Sequence, residues 1–356
     1  MDTYPVKKGK PEKTGESFIK QPDLSNKKPT VILNTYPFAF DVVGGGEVQL
    51  LSIHRELAHL NIKTILYDIW NPSLDICDIV HFFSVMPGSF AFCEHVRKRN
   101  IPLFVSPNMW LDDTVSTQIS LQPLREQLSL ADCIICNSDM ESENFSRILS
   151  LPKEKFLTMY CGIDDIFLNQ STPSLFRSRN KWLGKFVLNV GTIEKRKNQL
   201  TLIRAMKAFP DYSIVLIGHI RDQAYANKCF AEGGSQIVYL GPLLHEDPLL
   251  RSAMAACDLF IGPGLMETPG GANLEAASQG APLVITEVGS TREYFKDMVT
   301  YFNPVDEKSL IDAIEANLGK SRNETLIKYV HAHFQWRKAL IPLSKAYQKT
   351  TEAFQP

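Results

Sequence analysis

The chain has 356 residues, 44% of them hydrophobic and 22% charged, with a formal net charge of −1 at pH 7. That length accommodates two domains of ordinary size, and the composition is that of a soluble globular protein. The balanced charge, with no stripe of alternating aromatic and basic residues, excludes nucleic acid as a partner, and no apolar run reaches the roughly 18 residues that span a bilayer. The opening Met1-Asp-Thr-Tyr-Pro-Val-Lys-Lys8 lacks the apolar segment of a signal peptide. The expected location is therefore the cytoplasm.

Residues 1–28 are polar and aperiodic, with seven lysines against Asp2, Glu12, Glu16 and Asp23, and are expected to form a mobile tail. Its positive charge also suits a weak, peripheral attraction to an anionic membrane at the inner face. From Thr30 a regular alternation begins. Strands are expected at Val31–Leu33, 62–66, 79–83, 102–105, 133–136 and 156–160, with helices from Gly44 onward and near 90–99, 122–130 and 139–149. Residues 169–184, rich in small, polar and proline residues, read as a linker. The alternation then resumes: strands at 186–190, 214–217, 237–240, 259–261 and 282–285, helices near 198–208, 221–231 and 246–256, and an almost wholly helical end from about 322 to 354. Strand and helix in alternation imply parallel sheets covered on both faces, so the fold class is α/β with two similar doubly wound halves.

The seven cysteines are odd in number. Cys133 and Cys136 form a C-x-x-C, but inside an apolar strand, where an odd offset places the thiols on opposite faces. Buried, reduced thiols are expected, and no metal site.

In open parallel sheets, ligands bind where βα loops converge at the carboxyl ends of the strands. Gly44-Gly-Gly-Glu47 runs into a helix start and permits close backbone approach to an anion, though a plain strand-to-helix turn fits it equally. Gly191-Thr-Ile-Glu-Lys-Arg-Lys-Asn198 sets three successive cations at a helix start, where they oppose the helix dipole, which favours a bound diphosphate over a solvated surface. Gly218-His219 follows the next strand. Glu267-Thr-Pro-Gly-Gly-Ala-Asn-Leu-Glu275 places carboxylates on both sides of a glycine turn, which suits hydroxyls and phosphate on one ligand. By itself the same stretch is equally an N-terminal helix glutamate beside an unrelated loop glutamate. No dinucleotide fingerprint is present, which argues against an oxidoreductase of this fold.

Taken together, the cation loop, Glu267-x7-Glu275, Gly280-Ala-Pro-Leu-Val284, Gly44-Gly-x-Glu47, Asp132-x3-Cys136-Asn-Ser138, Gly162-Ile-Asp164, Val288-Gly-Ser-Thr-Arg-Glu-Tyr294 and Phe334-x-Trp336 resemble the GT-B glycosyltransferases, in particular retaining family 4, over about residues 30–350. The resemblance implies two Rossmann-like domains facing a central cleft. The first spans 29–168 and is completed by a C-terminal helix, 336–356, that crosses back to it. The second, 185–335, would bind the nucleotide sugar. It also implies that Lys197, with Arg196, holds the donor diphosphate, that Glu267 binds hydroxyls of the donor sugar and that Glu275 binds the ribose. Gly44, Gly45, Gly191, Gly218, Gly270, Gly271, Asn273 and Leu274 complete the implied donor site.

Three departures stand out. Thr192 occupies a position where many relatives carry Arg. Glu267-Thr-Pro-Gly270 replaces the usual Glu-Gly-Phe-Gly. Ser106-Pro-Asn108 stands where relatives often have a His, so no catalytic base is assigned, and His81, Asn108 and Ser138 remain acceptor-side candidates. The implied activity is metal-independent, cofactor-free and retaining: transfer of a hexose from a UDP- or GDP-sugar to a saccharide or lipid-linked saccharide acceptor in cell-surface polysaccharide synthesis. An inactive partner subunit and a nucleotide-sugar epimerase are the alternatives.

Overall fold

The structure, a computed structural model, describes residues 28–181 and 183–354. The expectations for residues 1–27 lie outside the described residues. Twelve strands form two six-stranded sheets in which every pairing is parallel. The first contains β1 (Thr30–Thr35), β2 (Lys63–Leu66), β3 (Ile79–Phe83), β4 (Leu103–Ser106), β5 (Cys133–Cys136) and β6 (Phe156–Thr158), in the order β2-β1-β3-β4-β5-β6. The second contains β7 (Phe186–Val190), β8 (Ser213–Ile217), β9 (Ile237–Tyr239), β10 (Leu259–Gly262), β11 (Leu283–Thr286) and β12 (Thr300–Phe302), in the order β12-β11-β10-β7-β8-β9.

The central strands are buried along their whole length: Ile-Val-His-Phe-Phe in β3, Leu-Phe-Val-Ser in β4, Leu-Phe-Ile-Gly in β10. Continuous apolar runs of this kind fit a parallel sheet sandwiched between helices, and registers such as Val31↔Ile79 and Val187↔Ile214 bring them side by side. The strand order decides where a ligand fits. In each sheet the chain reverses its direction of travel once, next to β1 in the first and next to β7 in the second. A crevice opens at the carboxyl ends of the strands at such a switch point. The glycine loop follows β1, the cation loop follows β7, and the Glu267 loop follows β10.

The main differences from the expectations are at the twelfth strand, the linker and the helical end. β12 was not foreseen, because its three residues are too short to show a period. The stretch expected as a linker contains the helix Ser174–Arg179, whose Phe176 is fully buried with its ring 5.2 Å from that of Phe186. Arg177 donates to the Ala256 carbonyl at 2.8 Å, so this stretch is anchored on the second sheet. The helical end is three helices, Glu324–His333, Trp336–Ala339 and Ile341–Ala353.

Those helices bring the chain back to the first domain. The Ile163 amide donates to the Phe334 carbonyl at 2.6 Å. Trp336 packs so closely on Gly162 that a methyl group there would stand 2.5 Å from the indole. Tyr347 on the last helix is fully buried against β3 and β4. One apolar cluster runs from Val31 and Leu33 through Phe334 and Trp336 to Phe186 and Phe260, so the halves share a core. All seven cysteines are free, and burial pushes the Cys133 thiol up to about 12, which leaves it inert at neutral pH.

Candidate active site between the two sheets

The second-domain wall is built on Lys197 and Glu267. Asn198, in a left-handed conformation, ends the cation loop and starts the helix Gln199–Met206, and its amide donates to the Pro304 carbonyl. That turn folds Lys197 back over Gly191, and its ammonium donates to Glu267 Oε1 at 2.6 Å. Glu267 is 7% exposed. Its backbone is pinned by Glu267 N–H to Val288 O and Ser290 N–H to Glu267 O, so the carboxylate projects from a fixed frame. The Leu265 amide donates to the Arg196 carbonyl, which ties the two loops together. Beyond Glu267 lie a cis Thr268–Pro269 bond and Gly270, and then the helix Gly271–Ser278 begins. The Asn273 and Leu274 amides close on the Gly270 carbonyl, and the amides of Gly271 and Ala272 ahead of them, with the helix dipole, favour an anion.

Gly218 lies where the loops after β7 and β8 meet. A methyl group there would stand 2.0 Å from the Gly191 carbonyl oxygen, so only glycine permits that approach. Asn273 and Leu274 are buried, and the Asn273 amide donates to the Pro269 carbonyl at 2.9 Å. Their side chains therefore brace the loop, and their backbone amides bond to the Gly270 carbonyl. Arg196 is half-exposed and pairs with Glu194 at 3.0 Å rather than with Glu267. Thr192 donates to the same Glu194 oxygen at 2.9 Å.

The first-domain wall faces this one. The Gly44 amide donates to Glu47 Oε2 at 2.8 Å at the start of the helix Gly45–Leu57. Arg221, in the turn after β8, reaches across the cleft: Nη2 donates to the Val42 carbonyl at 2.8 Å, and Nη1 lies 3.7 Å from Glu194. A methyl group on Gly44 would stand 3.0 Å from Arg221 Nη2. Asn108, at φ +51, sets its amide nitrogen near Gly46 and has a buried Oδ1 without a hydrogen-bond partner.

Below the carboxylates, His245 joins the domains. Nε2 lies 2.8 Å from Glu275 Oε1, and Nδ1 lies 3.2 Å from Asp164 Oδ2. Arg55 binds the other Asp164 oxygen at 2.6 Å. Burial opposes charge on the imidazole, but hydrogen bonds and attraction from both carboxylates prevail and raise its pKa to about 10. The carboxyl of Asp164 is likewise desolvated, yet His245 and Arg55 hold it below the ordinary range.

Two of the three acceptor-side candidates are closed off. His81 is fully buried, with Nδ1 2.5 Å from the Tyr347 hydroxyl and Nε2 2.8 Å from Ser106 Oγ. Burial lowers its pKa to about 3, so it is neutral and ties the last helix to the sheet. Ser138 is also fully buried, and its hydroxyl accepts from the Glu141 amide as a helix cap. Beside it, the Glu293 carboxylate of the second domain accepts from the Asp139 and Met140 amides at 2.8 and 3.1 Å, and from the Tyr160 hydroxyl at 2.7 Å. The Tyr294 hydroxyl accepts from the Cys161 amide and donates to the Asn137 carbonyl. The Val288–Tyr294 motif is thus a seam between the domains.

Residues 176–331 match the family described as glycosyl transferases group 1. The second half is therefore similar to the glycosyl transferases group 1. The matched region carries Lys197, Glu267 and Glu275. Among relatives, the O-antigen chain mannosyltransferase B of Escherichia coli is 28% identical over 234 residues, which is 62% of this chain and 59% of that protein's length. In three dimensions, sucrose-phosphate synthase from Thermosynechococcus elongatus superposes with a TM-score of 0.77 at 17% identity, over 92% of this chain and all of that one. Anabaena HepE, in complex with UDP and glucose, gives 0.67 at 18% identity, over 92% and 99% of the two chains. The two facing parallel-sheet domains are the GT-B fold.

Reading the sequence missed Arg221, His245 and the Glu293–Tyr294 seam as parts of the site. Arg221 and His245 lie in loops without a run of charge, and Glu293 and Tyr294 lie on the short helix Thr291–Phe295, in a motif that shows its resemblance but not its role. Their significance comes from partners 30 to 179 positions away.

Proposed function

We propose that the protein transfers a hexosyl group, mannosyl foremost, from a nucleoside-diphosphate sugar to a saccharide or lipid-linked saccharide in cell-surface polysaccharide synthesis. The observation that carries this reading is the Lys197–Glu267 pair at 2.6 Å, set beside a glycine-led helix start and opposite the Gly44 loop. A lysine ammonium has three donor protons, so the one given to Glu267 leaves two for phosphate oxygens. The carboxylate, kept in place by that bond, accepts from sugar hydroxyls. The name of the O-antigen mannosyltransferase relative supports mannose as the sugar.

The transfer is retaining. The nucleoside diphosphate departs as the anomeric carbon gains oxocarbenium character, and the leaving phosphate oxygen takes the acceptor's proton on the same face. Lys197, Arg196 and Arg221, with the amides that open Gly271–Ser278, stabilise the charge on the departing diphosphate. These cations do the work that a metal ion does elsewhere, so activity should survive chelation. Among the described residues no helix is long and apolar enough to cross a membrane. The proposed site of action is the cytoplasmic face of the membrane, with peripheral attachment.

The test is a thermal-shift panel of GDP-, UDP- and ADP-sugars, because a ligand that binds only the folded state raises the melting temperature by mass action. It is followed by donor turnover with and without EDTA. Stabilisation by GDP-mannose and EDTA-resistant turnover are expected. Failure of every sugar nucleotide to bind would overturn the reading.

A further inference from the structure

A charged cluster between the domains joins His245 with Asp164, Glu275 and Arg55. His245 stands in the turn between β9 and the helix Pro248–Ala256. The groups that face it come from three other elements. Asp164 precedes the helix Asp165–Leu168. Ser52 Oγ (3.4 Å from Asp164 Oδ2) and Arg55 lie on Gly45–Leu57, and Glu275 lies on Gly271–Ser278. The ring of Phe167 packs at 5.2 Å.

The chemistry of the ring fixes its state. A neutral imidazole has one donor nitrogen, whereas here both nitrogens meet carboxylate oxygens, so the arrangement calls for the imidazolium. One positive charge is shared by an acid from each domain. Its bond to Glu275 uses Oε1 and leaves Oε2 for a ligand.

We infer that His245 is a positioning residue for the donor: it turns Glu275 Oε2 toward the ribose hydroxyls and ties that grip to Asp164 of the first domain. Ribose binding and the seating of the two halves are then one event. This rests on the donor reading given above. The same two carboxylates keep the imidazole protonated up to about pH 10, so the tie persists across the neutral range.

The experiment uses the full chain and isothermal calorimetry with GDP and UDP, their 2′,3′-dideoxy counterparts, and pyrophosphate. His245→Phe should weaken the nucleoside diphosphate that binds the wild type by about tenfold or more, the worth of one charge-assisted hydrogen bond. It should weaken the dideoxy ligand and pyrophosphate by less than about twofold. His245→Gln keeps one amide donor for Glu275 and should fall between. If His245→Phe does not fold, His245→Gln against the dideoxy ligand carries the same comparison. An equal loss for ribose and dideoxyribose ligands overturns the inference and marks His245 as packing only. No loss in either variant overturns it too. Wild-type protein that binds neither GDP nor UDP overturns the donor reading itself, and this inference with it.

Discussion

The two walls of the cleft are built on the same kind of sheet and present opposite chemistry. The loops after β7, β8 and β10 carry Lys197, Arg221 and Glu267, placed by hydrogen bonds at 2.6–3.2 Å. The loops after β1, β2 and β3 leave large apolar side chains in solvent: Phe38, Phe40, Ile69, Trp70 and Met86, with Trp70 92% exposed. On the second domain only scattered side chains such as Leu244 and Val305 are exposed in this way. Directional, charge-assisted bonds suit a small polar ligand that must sit in one pose. Exposed aromatic and aliphatic loops suit a larger amphiphilic ligand, held by area rather than direction. In the proposed reaction the first description fits the donor and the second a lipid-linked acceptor.

The comparison breaks most directly at its charged wall. Lys197→Ala and Glu267→Ala should each cut turnover at least about a hundredfold, since a lost transition-state charge contact costs about 2.7–4 kcal/mol. Each protein should still unfold cooperatively near the wild-type temperature, and near-normal rates in either would unseat the pair. Next comes the tie that keeps the apolar wall in place. A methyl group on Gly162 would overlap Trp336, so Gly162→Ala should destabilise the protein by about 1–3 kcal/mol in urea titration. An unchanged midpoint would mean that the C-terminal crossing does not hold the domain.

Arg221 belongs to the second wall yet bonds to the first. Arg221→Ala should lower kcat/KM for the donor about tenfold, close to 1.4 kcal/mol, and leave the acceptor KM alone. The reverse pattern would place the guanidinium on the acceptor side.

The His81–Tyr347 contact gives the first domain an acid limit. The folded pKa of His81, about 3, lies below the unfolded value of roughly 6.5. The neutral form is thus favoured on folding, and stability is complete above pH 6.5 and falls as the pH drops toward 3. His81→Asn should flatten that limb of the melting temperature against pH. A limb of unchanged slope would assign acid unfolding to other groups. The smallest effect belongs to the apolar rim. Trp70→Ala should leave stability within about 0.5 kcal/mol and weaken turnover with a lipid-linked acceptor, but not donor binding. Equal effects on both substrates would dissolve the division between the walls.

Much of the fold was legible because parallel sheets write themselves into sequence as alternating apolar runs and amphipathic helices. The helix 139–149 was readable to its ends, since Ser138 caps it and an apolar face follows. β12 left no such trace, and neither did the burial of Phe176 within a polar, proline-rich stretch. The site was legible in the same measure. Lys197, Glu267 and the glycines sit in local patterns, a cation run and a glycine-led helix start, whose physics operates over a few residues.

What the sequence by itself determined was the set of local devices: two doubly wound halves, the loops that end their strands, and the residue types those loops carry. Tertiary structure alone decided which of those residues meet. His81 read as an acceptor-side candidate and proved to be sealed under Tyr347, 266 positions away. His245 carried no local signal and proved to hold Glu275 to Asp164. Local propensity extends only a few residues along the chain, whereas an ion pair forms wherever packing brings two charges within about 4 Å, however far apart they lie in sequence.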